Sequence, residues 1–417
     1  MSTTNLGILR DSGRPLTFLH SSDLHLGASD HVQVAYDQLV RTALEREVDL
    51  VLLGGDVYDV AERSANLQKR FVDVLRKLDT AGVHVFIAHG NHDPVAGDFR
   101  PVVGAMPKRV HVFDSGEPQT FLMQLAGSQV AVTGVSFANK HDRENLAAKI
   151  ASTTVDADLR IAVMHGNLEG QTGHDPYAPC TEADLSESLI DYWALGHIHI
   201  RNCKQMAPGR WWAYPGNLQG RSTKPAECGE KGALLVRAEG GGFAEPEFVA
   251  CDVHRFLRVE VDVDGLEHYD DAVNNVIDAL ASIFDEHDRR SLTVRLAIVG
   301  QTPVHEQLRE MSVDVLTGLI DNDKIEIARV ELNTSQPIDR RLLAQGDDLV
   351  GVLLRRLDKL RTSGDHEEVN TLFVKTKEFA GDKALKRITK MIELGQLDSD
   401  VVLAKAEKLV LDKLAVN

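Results

Sequence analysis

Five polar segments of the chain contain side chains that could bind metal ions. The candidate ligands are Asp23 and His25, Asp56, Asn91 with His92 beside it, His165, and the pair His197 and His199. A mixture of imidazole and oxygen donors suits Mn²⁺, Fe or Zn²⁺, and it is too rich in nitrogen for a dedicated Ca²⁺ or Mg²⁺ site. The residue types therefore predict a site for transition-metal ions or Zn²⁺.

Two of these segments carry ligands two residues apart. Side chains alternate along an extended chain, so Asp23 faces the same side as His25, and His197 the same side as His199. We predict that Asp56 bridges two cations, because a carboxylate between the two pairs would offset their repulsion. Two metal ions about 3.5–4 Å apart generate hydroxide near neutral pH and neutralise charge during phosphoryl transfer. The spacing therefore favours hydrolysis of phosphate esters.

The segment from Gly90 to Asp93 divides by role. Asn91 is a predicted metal ligand, and His92 is left to stabilise the transition state or to protonate the leaving oxygen. We expect Asp93 to orient His92. Any one such segment could be a solvated turn, whereas five of them in this order favour a metal centre. We interpret the remaining histidines at these strand ends and loops as ordinary polar residues: His20, His84, His89, His111 and His141.

The five segments each follow an apolar stretch that predicts a buried strand. These strands are residues 16–20, 50–53, 83–88, 159–164 and 192–195. Helical patterns at residues 32–45 and 66–78 lie between the first three strands, and further strands are predicted at 129–136, 211–214 and 232–237. Open α/β sheets bind ligands at the carboxyl ends of their strands. We therefore expect the fold to bring the five segments together.

The pattern changes after Gly240-Gly241-Gly242. A β-α-β-α-β unit is predicted, with strands at residues 255–263, 291–299 and 324–332 and helices at 269–284 and 306–320. The chain beyond residue 338 is predicted to be helical, with breaks at Gly346, Gly364, Gly381 and Gly395. We therefore predict three domains, at residues 1–245, 250–336 and 337–417.

The composition, 43% hydrophobic and 26% charged, is typical of a soluble globular protein. A net charge of −17 argues against broad nonspecific binding to nucleic acid. The four cysteines form no CxxC pair, which argues against a zinc ribbon or a disulfide framework. We find no signal-peptide pattern and no apolar stretch long enough to cross a membrane, so we expect a cytoplasmic protein.

Two residues are candidates for substrate binding. His174 lies in a long loop after His165 that could meet a substrate. Arg221 belongs to a run of basic residues that could flank a phosphate path, although a solvated surface explains the run equally well: Arg201, Lys204, Arg210, Arg221, Lys224 and Lys231.

The motifs DLH, GGDVYD, GNHD, HGN and GHIH together resemble the calcineurin-like metallophosphoesterase superfamily. The resemblance implies an α+β fold, a four-layer β-sandwich flanked by helices, around a dinuclear metal centre. It implies His92 as the catalytic histidine. It places Asp23, His25, Asp56 and His199 on one metal ion, and Asp56, Asn91, His165 and His197 on the other.

A narrower similarity comes from GHDPYAP at 173–179, DYWALGHIH at 191–199, YPGNLQGR at 214–221 and GEKGALLV at 229–236. These segments are similar to the SbcD- and YhaO-like DNA repair exonucleases. The resemblance implies a small α/β cap after the catalytic domain, two Mn²⁺ ions, DNA as substrate and an SMC-like coiled-coil ATPase as partner. The C-terminal helices would dock that ATPase or pack on their own domain, and a homodimer is a further expectation.

Two positions depart from the pattern of that branch. Asp59 occupies a position where archaeal and eukaryotic break-repair nucleases commonly have a histidine. Ser222 occupies a position where many relatives have a histidine. Substrate handling therefore need not match theirs. Our leading hypothesis is a Mn²⁺-dependent DNA phosphodiesterase, exonucleolytic or endonucleolytic. The alternatives are a phosphoesterase on a small substrate or a phosphoprotein, and a non-enzymatic scaffold that docks an ATPase.

Overall fold

The computed structural model describes residues 2–10, 14–60, 64–95, 106–153, 155–169, 177–320, 322–337 and 339–363, together with residues 404 and 407. By contacts between residues the chain divides into two compact units. The first comprises residues 1–259, 283–295 and 320–329, and the second comprises residues 260–282, 296–319 and 330–417.

Two seven-stranded sheets form the frame of the first unit. Sheet 1 contains, in spatial order, Ser2–Arg10, Gln119–Leu125, Ser128–Gly134, Leu159–His165, Tyr192–Gly196, Arg210–Tyr214 and Asn202–Ala207. Sheet 2 contains Gly242–Phe243, Gly232–Glu239, Thr17–Ser21, Leu50–Gly54, His84–Ala88 and Val110–Val112, with Glu247–Ala250 paired to Gly232–Glu239. The predicted strands are therefore present. Several edge strands, including Ser2–Arg10 and Asn202–Ala207, were not predicted.

The strands that precede the polar segments run parallel. Thr17–Ser21, Leu50–Gly54 and His84–Ala88 are neighbours in sheet 2, and Leu159–His165 pairs with Tyr192–Gly196 in sheet 1. Parallel neighbours bring their carboxyl ends to the same edge of a sheet. Each sheet therefore presents its polar segments along one edge.

The two edges meet at a pair of glycines. Gly54 ends a strand of sheet 2 and Gly196 ends a strand of sheet 1. A Cβ atom on Gly196 would lie 2.9 Å from Cβ of Ser22 and closer still to the carbonyl of Gly54. Only glycine allows this approach, which brings the polar segments of both sheets to one place.

The buried side chains define four layers. Between the sheets, Phe18, Leu52 and Phe86 of sheet 2 belong to the same apolar cluster as Val132, Ile161 and Tyr192 of sheet 1. The outer face of sheet 2 packs against helices Asp30–Glu45 and Ala65–Ala81. The outer face of sheet 1 packs against helices Leu146–Ala151 and Glu182–Ser186. The predicted α+β sandwich flanked by helices is therefore confirmed.

The two long helices on sheet 2 form where the sequence predicts them. Ser29 caps the first helix, its side chain accepting a hydrogen bond from the Val32 amide, and Ser64 caps the second in the same way through Leu67. The second helix ends at Gly82, whose φ of 84° suits glycine. Their buried faces contribute roughly 1.5–3 kcal/mol for each large apolar side chain removed from water. The helices thus pack on the strands that precede Asp23, Asp56 and Asn91.

A separate three-stranded sheet has the order His254–Asp262, Ser291–Gln301 and Ile325–Ser335. Helix Tyr269–Glu286 is close to its predicted bounds. The prediction of a single helix at residues 306–320 was wrong. The structure has two shorter helices there, His305–Leu308 and Val313–Leu319. Ser312 starts the second of these by accepting a hydrogen bond from the Val315 amide.

Helices Arg340–Gln345 and Leu349–Ser363 follow. Most of the predicted C-terminal helical region, including the amphipathic stretch at 401–410, lies outside the described residues. Within the described part of the chain, no helix combines the length and apolar character needed to cross a membrane. The three predicted domain limits remain proposals.

Candidate metal centre

The seven predicted metal ligands lie at the edge where the two sheets meet. Six are buried: Asp23, His25, Asp56, Asn91, His165 and His197. His199 is partly exposed, with 15% of its side-chain surface accessible. Buried charged and polar groups are costly unless they have partners or a ligand. This concentration therefore needs a specific reason to exist.

The backbone at these positions is strained. Asp23, His25 and Asp56 have φ values of 50°, 53° and 50°, and His197 has 106°. Positive φ is uncommon for residues other than glycine and costs on the order of 1–3 kcal/mol each. The conformation persists because surrounding contacts hold it: the amide of Asp23 donates to the carbonyl of Gly55 and that of His25 to the carbonyl of Asp56. Such strain is typical of functional sites.

The first group of ligands brings together Asp23, His25 and His199. Nε2 of His25 lies 3.2 Å from Nε2 of His199, and Nε2 of His199 lies 3.8 Å from Oδ1 of Asp23. Asp23 is fixed by the hydroxyl of Ser22 at 2.6 Å and by the backbone amide of His197. Two imidazole nitrogens that face each other at this distance favour a shared proton or a cation between them.

The second group brings together Asp56, Asn91 and His165. Nε2 of His165 lies 3.0 Å from Oδ1 of Asn91 and 3.5 Å from Oδ2 of Asp56. The other ring nitrogen of His165 donates to the carbonyl of Gly54 at 2.9 Å, which directs Nε2 towards these oxygens. The ring of His197 lies 5.1 Å from the ring of His165, centroid to centroid.

Asp56 stands between the two groups. Among the described residues, three overlapping sets have donor atoms within 4.8 Å of one another: Asp23, His25 and His199; Asp23, Asp56 and His165; and His25, Asp56 and His92. Asp56 shares one set with His25 and another with His165. This position suits the bridging role that we predict for it.

The charges in the site support one another. Burial would raise the pKa of Asp23, but the imidazoles of His165, His199 and His25 outweigh it and lower that pKa to about 2. Burial raises the pKa of Asp56, and the carboxylates of Asp23 and Asp93 add to this rise, although the imidazoles of His165 and His25 oppose it. Burial would lower the pKa of His165, but the carboxylates of Asp56 and Asp23 and the hydrogen bond to Gly54 outweigh it and raise that pKa. The centre therefore stabilises positive charge, as a cation site must.

His92 and Asp93 have different surroundings. The amide of His92 donates to Oδ1 of Asp56 at 2.9 Å, and its Nδ1 donates to the backbone carbonyl of Asp59 at 2.7 Å. That carbonyl takes the position that we expected for the carboxylate of Asp93. Asp93 instead accepts from the amides of Gly90 and Tyr58 and lies 2.8 Å from Nδ1 of His89. Its contacts therefore fix the loop that carries Asn91 and His92.

Glu227 was missed by the sequence analysis. It is buried, and its Oε1 lies 2.7 Å from Nδ1 of His199, while its Oε2 accepts from Nδ2 of Asn217 and from the amide of Arg221. Burial would raise the pKa of Glu227, but the hydrogen bond from His199 outweighs it, with help from Arg221 and Lys231, and lowers that pKa to about 2. Glu227 lies 28 positions from His199 in the chain. No sequence pattern pointed to a contact between the two residues.

The candidate substrate contacts have two different outcomes. His174 lies outside the described residues. Arg221 is at the site, where its Nη1 donates to Oδ1 of Asp59 at 2.7 Å. Both the predicted substrate contact at Arg221 and the predicted roles of the metal ligands remain proposals.

The other basic residues do not present one exposed strip. Lys231 is buried, and its ammonium group donates to the carbonyls of His199 and Ala226. Arg210 donates to the carbonyls of Ser188 and Ile190, and Arg201 lies over the ring of Phe248. The solvated-surface and structural explanations therefore account for this run better than a continuous phosphate path.

The donor set fits two divalent ions. Imidazole nitrogens, carboxylates and one amide oxygen converge in two groups with a shared carboxylate, and the mixture suits Mn²⁺, Fe or Zn²⁺. Gly55 and Gly90 keep the space open, because a Cβ on either would lie less than 3 Å from the His165 ring.

The sequence of this chain is similar to those of known proteins. A family model described as calcineurin-like phosphoesterase matches residues 16–201, and one described as the middle domain of metallophosphoesterase YhaO matches residues 256–335. An uncharacterized metallophosphoesterase, YhaO of Bacillus subtilis, is 32% identical over 305 residues, which is 69% of this chain and 72% of the relative.

More distant relatives are described as DNA double-strand break repair protein Mre11. The protein from Aeropyrum pernix is 29% identical over 277 residues, 61% of this chain and 66% of the relative. The protein from Methanopyrus kandleri is 25% identical over 270 residues, 59% of each. The match to YhaO covers 69% of this chain and 72% of the relative, and all seven predicted ligands lie within residues 16–201, the span of the calcineurin-like phosphoesterase model. The chain therefore belongs to the calcineurin-like phosphoesterases, in the branch that contains YhaO and is homologous to the Mre11-type nucleases.

Proposed function

We propose that the protein is a Mn²⁺-dependent DNA nuclease that hydrolyses phosphodiester bonds at the dinuclear centre. The observation that carries the proposal is the convergence of Asp23, His25 and His199 with Asp56 and His165 in one buried site. Family membership gives the reaction class, phosphoester hydrolysis. The Mre11 relatives give the narrower expectation of DNA as substrate.

When bound, two divalent cations would lower the pKa of water and neutralise charge on the phosphate oxygens. We assign Asp23, His25, Asp56 and His199 to one ion, and Asp56, Asn91, His165 and His197 to the other. The strained backbone at four of these residues holds their donor atoms towards the centre before a substrate arrives.

His92 is our candidate for proton transfer. Its Nδ1 faces a backbone carbonyl, which can only accept, so Nδ1 carries a hydrogen in both charge states. Nε2 is therefore the nitrogen that gains and loses a proton. The hydrogen bond from the backbone amide of His92 to Oδ1 of Asp56 ties this residue to the carboxylate that we propose as the bridge. We propose that Nε2 of His92 protonates the leaving oxygen, with Asp93 holding the loop in place.

The resemblance to the SbcD- and YhaO-like exonucleases supports a proposal for the larger assembly. We propose an SMC-like coiled-coil ATPase as partner, a homodimer as a further assembly, and a cytoplasmic location. We also propose a catalytic domain at residues 1–245, a cap at 250–336 and a partner-docking region at 337–417. The family match at residues 256–335 supports the cap. Co-purification with an SMC-like ATPase would test the partner.

The decisive experiment compares substrates. Purified protein with Mn²⁺ is assayed on single-stranded DNA, double-stranded DNA and a generic aryl phosphodiester, with Asp56→Asn protein prepared in parallel to expose any contaminating nuclease. We expect DNA cleavage by the wild type that the variant lacks. Hydrolysis of the aryl diester without DNA cleavage would favour the alternative, a phosphoesterase on a small diester or a phosphoprotein. Less than about one metal ion per chain after purification in Mn²⁺ would favour the scaffold.

A further inference from the structure

Three side chains behind the first group of ligands form a connected set, which we call the carboxylate clamp: Asp59, Arg221 and Glu227. They come from two loops, one after strand Leu50–Gly54 and one after strand Arg210–Tyr214. The clamp contacts the outward-facing nitrogens of His25 and His199. Those are the two imidazoles whose inner nitrogens face each other.

Glu227 holds His199. Its Oε1 lies 2.7 Å from Nδ1 of His199, and a carboxylate oxygen can only accept. Nδ1 of His199 therefore carries the hydrogen, and Nε2 presents its lone pair to the site. Asn217 and the amide of Arg221 fix the second oxygen of Glu227. The ring of His199 is thus held in a single orientation.

Asp59 lies behind His25. Its Oδ1 lies 3.1 Å from Nδ1 of His25, at ion-pair distance. The ring of His25 is buried and the side chain of Asp59 is partly exposed, so this carboxylate places a negative charge close to a buried imidazole. The two imidazoles of this metal position therefore each have a carboxylate behind them.

Arg221 links the two carboxylates. Its Nη1 donates to Oδ1 of Asp59 at 2.7 Å, and its Nη2 lies 3.9 Å from Oε1 of Glu227. The planar guanidinium presents fixed donors, so one side chain can hold both acids in register. The clamp thus has two negative charges and one positive charge, and it leaves a net negative charge behind His25 and His199.

His165, a predicted ligand of the other metal position, is held differently. Its Nδ1 donates to the backbone carbonyl of Gly54 at 2.9 Å, which is a neutral acceptor. A carboxylate behind a ligand histidine increases the basicity of that ligand more than a neutral carbonyl does, and such partners typically change metal affinity about 10–100-fold. The two positions should therefore differ in affinity.

We infer that Asp59, Arg221 and Glu227 are positioning residues that make the metal position at His25 and His199 the tighter of the two. This inference rests on the proposed dinuclear centre. It also gives Arg221 a different role from the substrate contact proposed above: its guanidinium acts on the metal site through Asp59 and Glu227. The two roles make different predictions for metal binding in the absence of substrate.

The test is a titration of the metal-free full chain with Mn²⁺, followed by the electron paramagnetic resonance signal of the free ion. We expect two steps for the wild type. Glu227→Gln should weaken the tighter step by roughly 10–100-fold and leave the other within about threefold. Arg221→Lys keeps the charge but loses the planar fork, so it should weaken the same step. Glu230→Gln is the matched control, because Glu230 lies on the same segment and contacts Arg255.

A double variant separates positioning from general loss of structure. Because Glu227 acts through His199, Glu227→Gln should have no further effect in a His199→Gln protein. Equal weakening of both steps, or no change in either variant, would overturn the inference and leave the dinuclear centre intact. If the wild type fails to bind two Mn²⁺ ions, the proposed function fails, and the inference fails with it.

Discussion

Nε2 of His25 lies 3.2 Å from Nε2 of His199, although 174 positions separate the two residues in the chain. One residue follows a strand of sheet 2 and the other follows a strand of sheet 1, so their meeting depends on the close approach of Gly54 and Gly196. The contact between the two imidazoles is therefore a long-range one. The site therefore exists only when both sheets are assembled.

Asp56→Asn should lose metal. The carboxylate belongs to two of the three donor sets, and an amide has one neutral oxygen with which to replace both contacts. We expect the bound Mn²⁺ to fall from two ions per chain to at most one, measured by elemental analysis after gel filtration. Retention of two ions would remove Asp56 as the bridge.

His92→Gln should keep both metal ions and lose turnover. A positioned proton donor typically contributes about 10²–10⁴-fold to the rate, and His92 is outside the ligand set that we propose. The measurement pairs metal content with the rate of phosphodiester hydrolysis. Full activity in this variant would exclude His92 from the mechanism, and loss of metal would make it a ligand.

Gly90→Ala should disturb the metal centre. The added methyl group would lie 2.8 Å from Cδ2 of His165 and closer still to Oδ1 of Asp56. Overpacking of this kind typically costs about 1–3 kcal/mol, so we expect a lower melting temperature and weaker Mn²⁺ binding.

Gly318→Ala is the control for that change. Gly318 lies in helix Val313–Leu319, and a Cβ there meets nothing within 4 Å. Alanine in a helix interior should be neutral or stabilise by up to about 1 kcal/mol. Unchanged metal binding in Gly90→Ala would show that the site tolerates the crowding.

The pair His84 and His111 should make the protein sensitive to acid. Their Nδ1 and Nε2 atoms lie 3.0 Å apart, and burial lowers both pKa values from 6.5 to about 4. The unfolded chain therefore takes up more protons between those limits, and stability is lost as the pH falls from 6.5 towards 4. His111 stacks near Phe86 and Phe121, so phenylalanine can replace it.

The measurement for this pair is the melting temperature of wild type and His111→Phe protein at several values of pH from 7 to 4. We expect the melting temperature of the variant to fall less steeply between pH 6.5 and 4, because one of the two depressed histidines has been removed. Identical slopes would exclude the pair as a source of acid sensitivity.

The sequence was most informative where apolar strands end in polar motifs. The strands before Asp23, Asp56 and Asn91 could be predicted because each is a short, mostly apolar run, and parallel strands bring such ends together. The sheet edges could not be predicted in the same way, since strands such as Asn202–Ala207 are half exposed and show no clear alternation.

The contacts that orient the ligand side chains could not be predicted from the sequence. Glu227 reaches His199 from a short 3₁₀ turn, Pro225–Glu227, whose position depends on the surrounding loops. The backbone carbonyl of Asp59 faces His92, and a carbonyl leaves no trace in residue types. The helix predicted at 306–320 is broken near Ser312, whose side chain caps a new helix. A serine can cap a new helix or lie inside a continuous one, and the sequence does not distinguish the two.

The central claim is the dinuclear centre, and anomalous X-ray scattering at the manganese edge tests it most directly. Crystals of the full chain grown with Mn²⁺ should show two peaks about 3.5–4 Å apart. One should contact Asp23, His25 and His199, the other should contact Asn91, His165 and His197, and Asp56 should contact both. A single peak, or peaks away from these residues, would contradict the account.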